Sequence, residues 1–137
     1  MNLERINPAD LARPAGFSHA VSVPVSVTEG RIVFLAGQTG LGRDGKIVPG
    51  GVVAQFEQAL GNLLTALTAA GGQPADLASL TIYSTDLADY QEHARQIGAV
   101  WRRLADADYP AMAAVGVTRL WDTEAVVEIQ GAAVVSR

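Results

Sequence analysis

The sequence predicts one α+β domain in which a mixed β-sheet carries two helices on one face. Three observations support this prediction. The length of 137 residues suits a single core. Runs rich in β-branched and aromatic residues lie towards both ends, and between them two segments carry apolar residues at every third or fourth position. The elements follow one another as ββαβαββ, and two helices leave the second face of the sheet free to pack against partner subunits.

The first two predicted strands lie near the amino terminus. Residues 17–27 alternate small polar with apolar residues, and Pro24 places this strand at an edge or an end of the sheet. Residues 31–37 are rich in β-branched and aromatic side chains, and a turn signal at 28–30 separates the two segments. The pattern predicts a hairpin.

Two helices and a strand are predicted in the middle of the chain. Leucines and valines recur at helical spacing over 52–70, and Gly71 and Gly72 supply a left-handed stop. A strand over 80–85 leads into a second helix over 88–104, whose apolar stripe consists of Tyr90, Ala94, Ile97, Trp101 and Leu104.

Capping and chain-end signals complete the outline. Asp86 and Asp89 flank the start of the second helix, where a carboxylate accepts bonds from free backbone N–H groups.

After Pro110 two closing strands are predicted over 111–118 and 125–135. We expect residues 1–137 to form one domain, with only residues 1–12 as a loose segment.

The composition favours a cytoplasmic protein that associates with itself. Hydrophobic residues make up 49% and charged residues 18%, which leaves a surface poor in charge for a monomer. We find no signal-peptide pattern and no apolar run of membrane-spanning length, so no membrane association is expected. The net charge of −4 and the scattered Lys and Arg residues argue against a nucleic-acid partner.

Neither a cofactor nor a metal ion is expected. The chain has no cysteine, and His19 and His93 lack the spacing of metal ligands. Residues 40–45 match GxGxxG, but residues 46–51 separate the last glycine from any helix. This segment is interpreted as a turn-rich connection.

Two polar residues stand out in the apolar final strand. Glu128 and Gln130 are two positions apart and therefore lie on the same face of the sheet. Polar groups in such a strand need partners or water. The pair marks either a buried polar network or a site, and the spacing does not separate these alternatives.

Four segments resemble the RidA/YjgF family of reactive intermediate deaminases, also called L-PSP-type proteins. They match in order and at comparable intervals at 17–20, 34–40, 109–117 and 127–134. The resemblance runs from Ile6 over nearly the whole chain. It implies a chorismate-mutase-like fold and a homotrimer that binds small molecules in three clefts between subunits.

The resemblance also implies roles for three residues. In the family's deaminases an arginine after a Pro-Ala pair binds the substrate carboxylate, while a glutamate and a backbone carbonyl position the attacking water. Met112 stands at the arginine position, Gln130 at the glutamate position, and Ala114 supplies the carbonyl. If the family register holds, residues 112 and 130 point into one cleft.

Further pocket positions follow from the same resemblance. Phe17 and Ala36 stand where a tyrosine and a serine are common, and the backbone N–H of Gly37 would face the ligand. Arg119 and Arg95 are the candidates to replace the missing arginine.

Three functions remain open. The first is a diverged imine or enamine deaminase, or a related hydrolase, that acts on a less acidic or more apolar substrate than 2-imino acids. The second is a trimer that binds a small metabolite without catalysis. The third, a ribonuclease or translation inhibitor, is the weakest because the chain is acidic.

Overall fold

A computed structural model describes residues 3–10, 13, 18, 20–22 and 30–136. The elements in chain order are β1 (Glu4–Ile6), β2 (Ala20–Ser22), β3 (Arg31–Thr39), α1 (Gly51–Ala69), β4 (Leu77–Ser84), α2 (Leu87–Glu92), α3 (Ala94–Ala105), β5 (Ala111–Gly116) and β6 (Val127–Val135). One turn of 3-10 helix over Pro74–Asp76 precedes β4.

The main sheet has four strands in the order β3-β6-β4-β5. β4 and β5 run parallel, whereas β6 is antiparallel to both of its neighbours. The connection between the two parallel strands contains α2 and α3, as a parallel crossover requires. The prediction of an α+β fold with a mixed sheet is therefore confirmed.

The structure describes only part of the predicted amino-terminal hairpin. β3 pairs with β6 along its length, and β2 pairs with β1 in a separate two-stranded sheet. In the described residues no pairing joins β2 to β3. Residues 17, 19 and 23–27 of the predicted first strand, and residues 28 and 29 of the predicted turn, lie outside the described residues. β6 is buried over much of its length and offers β3 a long apolar partner, which local turn signals do not reveal.

The first helix is confirmed, including its stop signal. Gly71 has a φ of 90°, and the N–H of Gly72 bonds to the carbonyl of Leu67 at 2.9 Å. This left-handed ending satisfies carbonyls that the last turn would otherwise leave unpaired.

The second predicted helix is wrong in one respect, because it is divided into α2 and α3 at His93. The Nδ1 of His93 bonds to the carbonyl of Asp89 at 2.9 Å, and the residue ends one helix and begins the next. A side chain that binds a backbone carbonyl of its own helix competes with the regular ladder. Asp86 does cap α2, since its carboxylate accepts the N–H of Asp89 at 3.0 Å.

The helices cover one face of the sheet and form the core with it. The fully buried residues include Phe56, Leu60, Leu63, Leu67, Leu77, Leu80, Val127 and Ile129. An ion pair between Glu57 and Arg103 joins α1 to α3 at the surface. No helix in the described part of the chain is both long and apolar enough to cross a membrane.

The opposite, outer face of the sheet carries large apolar side chains in solvent. Phe34 is 84% exposed and Ile32 is 65% exposed, both on β3. Large exposed apolar groups on one sheet face are typical of an interaction surface.

Candidate functional site

A β-bulge in β3 brings two of the predicted pocket residues opposite Gln130. Leu35 pairs with Gly131 and Gln38 pairs with Ile129, so Ala36 and Gly37 share the position across from a single residue. Bulges bend a strand and are over-represented next to active sites, where they re-aim side chains.

The Glu128 carboxylate lies against Gly37. A Cβ atom built on residue 37 would collide with this carboxylate, so the glycine makes room for it. Glu128 is half-buried and lies across from Thr39 on β3 and Tyr83 on β4. The sequence identifies Glu128 only as one of a polar pair. The contact between its carboxylate and Gly37 depends on the pairing of β3 with β6, which the sequence does not show.

Gln130 lies on the same face as Glu128, as the spacing predicts. It is exposed, it pairs with Thr81 across the ladder, and its Oε1 accepts a long bond of 3.4 Å from the Tyr83 hydroxyl. Ala36, Gly37, Glu128 and Gln130 therefore form one polar-edged group on the outer face, which we call the bulge site.

Met112 lies on the other face of the sheet. It pairs with Leu80, which is buried under the helices, whereas Gln130 pairs with Thr81, the next residue of the same strand. Successive residues of a strand point to opposite faces. Within one chain, residues 112 and 130 therefore point to opposite faces of the sheet, and the expectation that they share a cleft between subunits stays a prediction.

Met112 and Ala114 instead line a cavity of about 260 Å³ between β5 and the helices. The other lining residues are Phe56, Ile82, Tyr90, Ala94, Ile97, Gly98, Trp101, Tyr109 and Ala113. Trp101 stacks on Tyr109 with ring centroids 5.8 Å apart, and Phe56 meets Tyr90 edge-on at 6.3 Å. Met112, Ala113 and Ala114 all lie on β5, an edge strand of the described sheet.

The lining of this cavity carries no charge at neutral pH. Among the described lining residues none is acidic or basic, and burial raises the pKa of the Tyr90 hydroxyl to about 12, so that it stays protonated. Trp101 is only 3% exposed, and its Nε1 has no hydrogen-bond partner among the described residues. A buried donor without a partner among protein groups is uncommon.

The remaining predicted site residues lie elsewhere. Arg119 binds its own loop, with Nε 3.2 Å from the Leu120 carbonyl and Nη2 3.3 Å from the Trp121 carbonyl. Neither Arg119 nor the exposed Arg95 belongs to the cavity lining. Phe17 and His19 fall outside the described residues.

Gln55 supports the bulge site from the helical side and was missed by sequence reasoning. Its amide donates to the Glu124 carbonyl at 3.1 Å and accepts the N–H of Val126 at 2.9 Å. These two bonds fix the start of β6 just before Glu128. Gln55 is only 6% exposed. A polar residue within the apolar stripe of α1 was the signal in the sequence that could have identified it.

The structure adds no evidence for a cofactor or metal. Residues 40–45 form turns closed by bonds between Gly42 and Lys46, as interpreted from the sequence. Asp89, Glu92 and His93 bring three ligand atoms within 4.8 Å of one another, but Nδ1 of His93 already engages Asp89. Exposed acidic groups on one helix turn commonly lie this close without a metal.

Comparison with known proteins identifies consistent relatives. The family model described as Endoribonuclease L-PSP matches residues 10–135. The RutC family protein UK114 of Drosophila melanogaster is 32% identical over 127 residues, covering 91% of this chain and 84% of that protein. A protein of Dermatophagoides farinae named 2-iminobutanoate/2-iminopropanoate deaminase is 30% identical over 138 residues, covering 98% and 99%.

A solved structure extends the likeness to the whole fold. The Rid-family protein YyfB of Yersinia pestis, described as of unknown function, superposes with a TM-score of 0.80 at 35% identity. The match covers 97% of this chain and 98% of that one.

Proposed function

Because the chain belongs to the Endoribonuclease L-PSP family, the RidA/YjgF family that its sequence resembles, we propose that it hydrolyses an imine or enamine of a small metabolite in clefts between subunits. The observation that carries this proposal is the Glu128 carboxylate seated over Gly37 at the bulge. A carboxylate held at a partly exposed position can accept a proton from water, which glutamine cannot. We therefore assign the role of general base to Glu128 and not to Gln130, which the family resemblance places at the glutamate position.

The proposed reaction needs a water, a base and a proton return. Water adds to the carbon of the C=N bond while Glu128 takes one of its protons and passes it to the imine nitrogen, which gives a neutral amino alcohol. Glu128 then takes the hydroxyl proton and delivers it to the same nitrogen as the C–N bond breaks, so that a carbonyl compound and ammonia or an amine are formed. Gln130 and the N–H of Gly37 would orient the water and the substrate. The backbone carbonyl of Ala114 on the edge strand would be a second acceptor for the water.

A complete site on this scheme needs two copies of the chain. The bulge site and the cavity at Met112 and Ala114 lie on opposite faces of the same sheet. The exposed Phe34 and Ile32 lie on β3, the strand that carries the bulge, and a second copy would cover this apolar patch. We therefore propose a homotrimer in which the bulge site of one subunit, including Ala36, faces the cavity of the next.

Free 2-imino acids are poor substrates in this proposal. Met112 offers neither charge nor a donor where arginine would bind a carboxylate bidentately. A carboxylate placed against the thioether would be desolvated without a partner.

A second candidate is binding without turnover. The apolar, uncharged cavity favours it, because such a lining holds a ligand without contributing to its hydrolysis. The two candidates differ only in whether Glu128 acts on a substrate.

The test compares Glu128→Gln with the wild type and with Glu124→Gln, an exposed carboxylate in the loop before β6. Ammonia or amine release from uncharged imines is measured at equal concentrations of the three proteins, after each has been shown to be folded. We expect Glu128→Gln to lose a factor of about 10²–10⁴ in kcat, and Glu124→Gln to stay within about twofold. Equal rates in all three proteins would overturn the role of Glu128, and ligand binding without turnover in the wild type would leave the second candidate.

A further inference from the structure

We infer that the cavity beneath α2 and α3 binds an uncharged aromatic ring, so that the substrate class is a neutral imine carrying an aryl group. The identification of the substrate as an imine depends on the function proposed above. The ring-binding part depends on the cavity alone and can be tested without turnover.

The size of the cavity fits one ring with a short substituent. A dry, apolar cavity of about 150 Å³ suffices to bind benzene. The cavity here measures about 260 Å³, which leaves room for several further atoms. Three of its lining residues, Met112, Ala113 and Ala114, lie on β5, an edge strand of the described sheet.

The walls of the cavity favour an aromatic guest. Four of its lining side chains are aromatic, namely Phe56, Tyr90, Trp101 and Tyr109. Rings prefer edge-to-face or offset contacts with other rings, and each such pair adds to the gain from burial. Phe56 and Tyr90 already pack edge-on against each other, and Trp101 and Tyr109 are stacked. A guest ring would add a further aromatic contact to these two pairs.

The charge state of the cavity excludes an anionic guest. Met112 supplies a thioether, and Tyr90 remains neutral because burial raises its pKa to about 12. A carboxylate drawn into this lining would lose its water and gain no cation. Arg102 is exposed and does not line the cavity. Its Nη1 lies 3.8 Å from the position that a Cβ on Gly98 would occupy.

The experiment compares two ligands that differ in one substituent, which is a methyl group in the first and a charged carboxylate in the second. Acetophenone and phenylglyoxylate share a phenyl ketone, and only the second carries a carboxylate. We expect calorimetry on the wild-type protein to show acetophenone binding at least about tenfold more tightly, since the carboxylate would be buried unpaired. Equal or tighter binding of phenylglyoxylate would overturn the inference.

A cavity-filling variant and a matched control locate the binding. Gly98→Leu places a side chain at the lining, where the nearest atom to the new Cβ is Arg102 Nη1, whereas Gly61→Leu makes the same change at an open position of α1. We expect Gly98→Leu to weaken acetophenone binding at least about tenfold and Gly61→Leu to leave it within about twofold. Ala94→Leu, at another lining residue, should repeat the loss if Gly98→Leu is poorly folded.

The outcomes separate this inference from the proposed function. Acetophenone binding that Gly98→Leu abolishes, in a protein that hydrolyses no imine, would retain the ring site and reject the hydrolase. Unchanged binding in both Gly98→Leu and Ala94→Leu would reject the ring site whatever the turnover. Tight phenylglyoxylate binding that Arg102→Ala removes would show a carboxylate clamp at the rim and would contradict a neutral substrate.

Discussion

The two faces of the four-stranded sheet differ in what covers them and in what they offer chemically. The face under the helices is packed with leucine, isoleucine and aromatic side chains and encloses an uncharged cavity. The outer face carries the bulge, Glu128 and Gln130, together with the exposed Phe34 and Ile32. In the proposed function, recognition of an apolar group and activation of water therefore belong to opposite faces of the same sheet.

This division follows from strand alternation alone. Thr81 and Leu80 are neighbours on β4 and point to opposite faces of the sheet. Thr81 pairs with Gln130 of β6 on the outer face, and Leu80 pairs with Met112 of β5 on the face under the helices. Among the described residues, neither face by itself brings together the cavity and the proposed base. A site that uses both requires a second copy of the chain to bring them together.

The largest effect on folding is expected on the helix-covered face. Leu63 is fully buried on α1, and Leu63→Ala should lower the free energy of unfolding by about 2–5 kcal/mol through lost burial and a cavity. Leu41→Ala, at a leucine that is 38% exposed, should cost less than about 1 kcal/mol. Urea titration measures both, and similar losses would mean that Leu63 is not a core residue.

On the outer face the expected effect is on assembly. Phe34→Glu places a charge on the apolar patch that we propose is covered by another subunit, and it should weaken association by about 100-fold or more. Phe34→Leu should keep the assembly. Sedimentation at micromolar concentration tests this pair: a wild type that is already monomeric, or a trimer unaffected by the glutamate, would contradict the proposed role of this face.

A smaller effect is expected at the bulge. Gly37→Ala should cost about 1–3 kcal/mol of stability, because the new methyl group must displace the Glu128 carboxylate. Gly61→Ala, where a Cβ meets no atom within 4 Å, should gain up to about 1 kcal/mol from better helix propensity. Thermal unfolding of the two variants gives the comparison, and a stabilising Gly37→Ala would show that Glu128 does not occupy this place.

The smallest effect concerns the junction of α2 and α3 above the cavity. The backbone hydrogen bond to Asp89, aided by the charges of Asp89 and Glu92, raises the pKa of His93 above its usual 6.5. Protonated His93 is thus favoured in the folded state, so its contribution is complete below about pH 6.5 and is lost as the pH rises through the raised value. The stability difference between wild type and His93→Gln should be larger near pH 5.5 than near pH 9. A difference that grows with pH would contradict this sign.

Much of the fold could be predicted because local signals and packing agree. The helical spacing of leucines in α1, the glycine stop at Gly71 and the cap at Asp86 all depend on residues close in sequence. The break at His93 could not be predicted from periodicity, since Tyr90, Ile97 and Trp101 keep their stripe across it. The pairing of β3 with β6 joins residues almost a hundred positions apart and leaves no local signal.

The site was predictable in its residues and not in its geometry. The spacing of Glu128 and Gln130 gave their common face, and the family resemblance gave Met112, Ala114 and Gly37. The register through β4, which separates Met112 from Gln130, and the bulge that seats the Glu128 carboxylate depend on strand pairing. The apolar cavity depends on the packing of α2 and α3 on β5, which no single segment encodes.

The most direct test of a site shared between subunits is complementation. Glu128→Gln and Gly98→Leu are each purified, mixed at equal amounts, unfolded and refolded together, and assayed for hydrolysis of a neutral aryl imine. If one subunit supplies Glu128 and the next supplies the cavity, about a quarter of the sites in the mixture are intact and activity returns, while each variant refolded alone stays inactive. A mixture that forms mixed trimers yet stays as inactive as its components would show that both residues act within one chain, contrary to the separation of the two faces.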